Sequence, residues 1–126
     1  MGTAPAGDAL VLDLDEELAR ATDALARERS GRSSRVLLRS GPLRVTLIVL
    51  APGGEIPEHH AAGSITVQPL RGAMRFTAGG RDHDLRPGRM LCLPPRVRHR
   101  VASDAGGAFL LTVAGGAAPM APLAGP

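Results

Sequence analysis

Three of the four histidines of this chain, His59, His60 and His99, lie in stretches punctuated by glycine and proline. A neutral imidazole offers one lone pair and one N–H, so such residues suit a metal ion or a polar ligand. In Arg96-Val97-Arg98-His99-Arg100-Val101, strand alternation sets His99 on one face with Val97 and Val101. The three arginines take the other face. An inward histidine of this kind is either a pocket residue or a core residue satisfied by backbone carbonyls. His59 and His60 are neighbours, so a regular strand points them apart. One phase puts His59 inward with Ala61; the other puts Ile56, Glu58 and His60 inward. A β-bulge would bring both imidazoles to one ion. His83, in Arg81-Asp82-His83-Asp84-Leu85, has polar company and reads as a surface residue. Glu58 and His60 are the only evident candidates for general acid or base. No nucleophile elbow, phosphate-binding glycine loop or cysteine-based zinc motif is present.

The elements that must position these residues change character along the chain. Residues 1 to 12 read as a loose lead-in. Leu14, Leu18, Ala21 and Leu25 then form an amphipathic stripe, which predicts a helix over about 14–29. Asp13 or Asp15 is placed to cap it, and Ser30-Gly31 to end it. Its apolar side is expected to pack outside the β-domain or against a second subunit, leaving Leu18 and Leu25 partly buried. From residue 33 to 114 the pattern alternates, and Gly-Pro, Gly-Gly, Arg-Gly and Pro-Gly steps mark turns every eight to twelve residues. That is the signature of an antiparallel β-sandwich or barrel. Its core is expected to hold Met74, Phe76, Leu91 or Cys92, and Leu111. Residues 115–126 carry no periodicity and are expected to be a disordered tail.

Composition narrows the function further. A chain of 126 residues with 44% hydrophobic residues supports one globular domain. All fifteen basic residues are arginine, the net charge is +3, and the arginines are dispersed. With only Phe76 and Phe109 as aromatics there is no stacking platform for bases, so nucleic acid is not an expected partner. No apolar run is long enough for a membrane span, and the acidic start lacks a signal peptide's basic flank, so a cytoplasmic location is expected. Cys92 is the only cysteine; between Leu91 and Leu93 it is expected to be a buried, inert thiol.

The two punctuated stretches together resemble the paired motifs of the cupin superfamily, G-x5-H-x-H-x3-E-x6-G and G-x5-P-x-G-x2-H-x3-N. Gly53, His59 and Gly72 keep the first spacing; Gly88, Pro94 and His99 keep the second. Four positions depart from the pattern. Ala61 stands for the second histidine, Ile65 for the metal-binding glutamate, Arg96 for a turn glycine and Ser103 for the asparagine. The resemblance covers roughly residues 33 to 114. It implies an all-β fold, a cupin-like antiparallel jelly-roll β-barrel with one N-terminal α-helix. It also implies a pocket at the barrel mouth, walled by Ala61, Ile65, Met74 and Phe76. His59, His60 and His99 are the candidate metal ligands. An imidazole set without a carboxylate suits zinc, copper or nickel, and the family adds iron. The expected partners are a small-molecule ligand or substrate and a second copy of the chain in a homodimer. Three functions follow: a small-molecule metalloenzyme, a cupin without metal that binds or senses a small molecule, or a purely structural dimerisation domain.

Overall fold

The computed structural model describes residues 7–115. The first six residues and, of the expected tail at 115–126, all but Gly115 lie outside the described residues. One helix and nine strands follow in order: α1 (Leu14–Leu25), β1 (Arg32–Ser40), β2 (Leu43–Leu50), β3 (Glu55–His59), β4 (Ser64–Gly72), β5 (Met74–Ala78), β6 (Arg81–Leu85), β7 (Leu91–Leu93), β8 (His99–Ala102) and β9 (Gly107–Ala114).

All strand pairs are antiparallel, and they form two separate sheets. One runs β1-β2-β9-β4-β7 and the other β3-β8-β5-β6. With β1 set aside, the chain shuttles between the four-stranded orders 2-9-4-7 and 3-8-5-6, which is a jelly-roll connection. The inner faces meet in one apolar core. Ile48, Leu50, Ile65, Val67, Leu91, Leu93 and Phe109 come from the larger sheet, and Met74, Phe76, Ala78, Leu85 and Val101 from the smaller. Leu111 is partly buried against that core.

The helix covers the outer face of the larger sheet. Asp13 caps it through a hydrogen bond from the Glu16 backbone N–H, and three acids occupy the first turn. Ala21 packs with Leu37, Leu47, Val49 and Ala108, flanked by Leu14, Leu18 and Leu25. Strand β2 is therefore buried on both faces, which is why LRVTLIVL ends in an unbroken apolar run. The helix stops at Leu25, four residues before the boundary expected from sequence. Leu25 is the last residue with sheet to cover. Beyond it no burial offsets the entropy of ordering the backbone, and the chain leaves through tight turns at Ala24–Arg27 and Leu25–Glu28. Because this stripe is covered within its own chain, it supplies no argument for a dimer.

A second correction concerns Cys92, which is exposed. Leu91 and Leu93 point into the core, so the period of two turns the residue between them outward on edge strand β7. Among the described residues no helix is long and apolar enough to cross a membrane.

Candidate functional site

The two inner histidines owe their convergence to one irregularity. In the β3–β8 ladder Ile56 pairs with Val101 and His59 with His99, and the register shifts between them. Pro57 and Glu58 on β3 thus oppose the single Arg100 on β8, a bulge that includes Pro57, which has no N–H to give a ladder. Ile56 and His59 are both partly buried, while Glu58 and His60 are exposed. Neither regular phase read from the sequence holds throughout: Ile56 follows one and His59 the other.

His59 and His99 are directly opposite on adjacent strands, so their side chains share a face. The ring centroids stand 4.2 Å apart with planes at 63°. Each ring is held by its own strand. His59 Nδ1 donates to the Pro57 carbonyl at 2.8 Å and His99 Nδ1 to the Val97 carbonyl at 3.0 Å. A carbonyl only accepts, so Nδ1 carries the proton and Nε2 bears the free lone pair in each neutral ring. Behind His99 lies Phe76, stacked at 6.4 Å, and behind that Phe109, edge-on at 5.3 Å.

These rings open onto a recess of about 590 Å³ between the two sheets. Its floor comes from the inner face of the larger sheet: Ile65, Leu111 and Val113. Ala61, Ala62 and Gly63 close one side, and His60 stands at the rim. Gly63 has to be glycine, because a Cβ there would fall 2.1 Å from the Ala114 carbonyl oxygen. The loop is pinned to the neighbouring turn by Arg96 N–H donating to the Ala61 carbonyl at 2.8 Å. Arg96 adopts φ 66°, the one non-glycine positive φ among the described residues. The position where the cupin pattern carries glycine thus keeps the left-handed backbone with an arginine on it, at a cost of about 1–2 kcal/mol.

Of the other residues expected in the pocket, Ala61 and Ile65 line the recess. Phe76 is buried behind His99 rather than lining it, and Met74 lies further along β5, beside a different recess. His83 is partly buried on β6, away from this site. Ser103 is buried and structural, its hydroxyl donating to the Ala73 carbonyl at 2.6 Å. Arg39 and Arg44 also line the recess, and sequence reading passed over them because they sit in a turn-flanking hairpin outside either motif.

No Asp or Glu lines the recess. Glu58, the nearest carboxylate in sequence, faces outward and pairs with Arg98. That hydrogen bond and the Arg98 charge hold its carboxyl below the usual range. Among the described residues no group of three or more His, Cys, Asp or Glu is placed to hold a metal ion. The residues present do not make the carboxylate-containing shell that the motif implies.

Burial depresses the proton affinity of His99; the Val97 carbonyl opposes this, and the charges of His59 and His60 reinforce it. An unfolded histidine takes up its proton near pH 6.5, whereas folded His99 does so only at lower pH. The unfolded state thus binds more protons in that window. His99's contribution to stability is complete above about pH 6.5 and is lost as pH falls towards its own depressed value. Urea denaturation at pH 7.5 and 5.5 is expected to show a loss of stability that His99→Leu reduces. An equal loss in the variant would remove His99 as its source.

Residues 46–114, more than half of the chain, match the cupin domain family. No curated protein matches the chain. Among solved structures it is similar to a cupin superfamily protein from Desulfitobacterium hafniense at 22% identity, over 69% of this chain and 80% of that one, with a TM-score of 0.64. A conserved Streptococcus pyogenes protein of unknown function matches at 24% identity over 91% and 95%, TM-score 0.67. Salicylate 1,2-dioxygenase from Pseudoaminobacter salicylatoxidans, in its adduct with gentisate, matches at 18% identity and TM-score 0.69. That match takes in 80% of this chain and 31% of the dioxygenase. At these identities the likeness is one of fold.

Proposed function

Because this chain belongs to the cupin domain family, we propose that its task is to bind a small organic molecule in the recess beside His59 and His99. The observation that carries this is the exchange of donor for hydrocarbon at the family's ligand positions. Ala61 and Ile65 put apolar surface where the motif carries a histidine and a glutamate, and both line the recess. About 590 Å³ lies within the usual range for small-molecule sites. Ile65, Leu111 and Val113 beside the imidazoles suit a ligand with an apolar body and a polar end. No carboxylate stands ready as general base, since Glu58 is turned out to Arg98. Binding or sensing is therefore favoured over turnover.

A second reading has one observation in its favour. Both rings are anchored through Nδ1, the arrangement by which metal-binding histidines are commonly oriented. Zinc, copper, nickel or iron on His59 and His99, with His60 at the rim, would have two or three neutral donors and no charge compensation, so retention would be weak.

The chain contains three isoleucines, Ile48, Ile56 and Ile65, which makes the binding reading directly measurable. Ile48 is in the core and Ile56 borders two other recesses. In protein labelled at isoleucine δ1-methyls, a mixed library of small alcohols, amides, amines and acids is expected to contain molecules that shift Ile65 and leave Ile48 in place. Shifts confined to Ile56 would place binding elsewhere and defeat the proposal.

A further inference from the structure

Arg39 and Arg44 are directly opposite each other in the β1–β2 ladder. Residues so paired have Cβ atoms about 5 Å apart, and like charges in that position repel. Three of the fifteen arginines have acids: Arg20 has Glu16 and Glu17, Arg35 has Glu17, and Arg98 has Glu58. Arg39 and Arg44 are set apart from the rest by facing each other across a ladder. Among the described residues neither Arg39 nor Arg44 has an acidic partner. Both are exposed, and both line the recess, where no Asp or Glu is found.

Their place in the sheet is specific. Arg44 pairs with Val113 on β9, and Val113 pairs with Ile65 on β4. Arg39, Arg44, Val113 and Ile65 therefore form one rung across the larger sheet. Inner-face residues alternate along β2, so Arg44 shares its face with Thr46 and Ile48, and Ile48 is in the sandwich core. The rung runs from two guanidinium groups at the open edge to hydrocarbon under the histidines. Its strands are about 4.8 Å apart, so Arg44 lies roughly 10 Å and Arg39 roughly 14 Å from Ile65 along the rung.

We infer that Arg39 and Arg44 clamp the carboxylate of a small organic acid whose apolar body lies over Val113, Leu111 and Ile65. This rests on the small-molecule reading above and adds the ligand's charge and its orientation. A carboxylate between the two guanidinium groups accepts forked hydrogen bonds from either and replaces their repulsion with two attractions. The two arginines hold the charged end of the rung, and Val113, Leu111 and Ile65 supply the hydrocarbon for the rest of the molecule. A ligand with the opposite polarity would set its apolar body against two arginines and its charge on hydrocarbon.

The test is a titration of straight-chain acids from butanoate to octanoate, and of benzoate, each beside its primary amide, followed through the Ile65 methyl at low salt. Acid and amide match in shape and differ in charge. The best acid is expected to bind at least about tenfold tighter than its amide, and the preference to shrink with added salt. Arg44→Gln and Arg39→Gln should each abolish the preference. Arg44→Lys, which keeps the charge without the fork, should retain part of it. Without ligand, Arg44→Gln is expected to melt about 1–4 °C above the wild type, because it removes the like-charge pair. Amides that shift Ile65 as strongly as acids would overturn the clamp and leave the recess reading standing. Acids and amides that both leave Ile65 unmoved would overturn the two together. Inorganic phosphate competing as well as the acids would reduce the arginines to a general anion patch and overturn the assignment.

Discussion

Phe76→Ala is expected to cost about 3–5 kcal/mol of folding stability, among the largest effects of any single truncation in this chain. Phe76 is 1% exposed and joins both halves of the molecule. It packs edge-on against Phe109 of the other sheet and stacks on His99 of its own. These are the only two phenylalanines, and the chain has no tryptophan or tyrosine. No other large ring can move in to fill the space. A loss of that size is about a fifth or more of the stability typical of a domain and should lower Tm by on the order of 10 °C or more. Phe76→Leu, which keeps most of the volume, should cost far less. Urea denaturation of the three proteins measures this. A loss below about 1 kcal/mol for Phe76→Ala would show that the two sheets do not depend on this contact.

Most of the strands were legible in the sequence because buried and exposed residues alternate along them and turn residues separate them. His99 with Val97 and Val101, against Arg98 and Arg100, is the plainest case: His99 and Val101 are buried and the arginines exposed. The course of β3 was not legible. Two phases competed there because the bulge at Pro57 satisfies each for half of the strand, and a bulge leaves little mark in residue types. Cys92 misled because its flanking leucines imitate a continuous apolar run, whereas in an edge strand every second residue faces out. The stripe of α1 was legible, but its end depends on how far the sheet beneath it extends. Arg39 and Arg44 were invisible as a pair. Their opposition is a matter of register across a hairpin, and register belongs to the fold.

The second large effect is expected for Ile65→Glu. Ile65 is 3% exposed, sits on the rung beside Val113 and lines the recess with His59 and His99. A carboxylate there without a partner is costly to ionise, so the ligand-free variant should lose about 1–3 kcal/mol relative to the wild type. The same carboxylate adds the missing anionic donor to two Nε2 lone pairs. Outer-shell partners of a metal site alone are worth about 10–100-fold in affinity, and a direct ligand weighs at least as much, so zinc should bind about 100-fold or more tighter than to the wild type. Because metal binds the folded state, zinc should also restore the variant's Tm while leaving the wild type's little changed. A variant that is destabilised and gains nothing from zinc would show that the position of Ile65 does not meet the imidazoles.

The central claim is that the recess has exchanged a metal shell for a binding surface. It is tested most directly by measuring metal per chain in untagged wild-type protein that has been loaded separately with zinc, copper, nickel and iron(II) and then desalted. The account predicts far less than one equivalent of each metal, with Ile65→Glu retaining zinc under the same treatment. One equivalent held by the wild type, lost in His99→Ala and kept in His83→Ala, would contradict it.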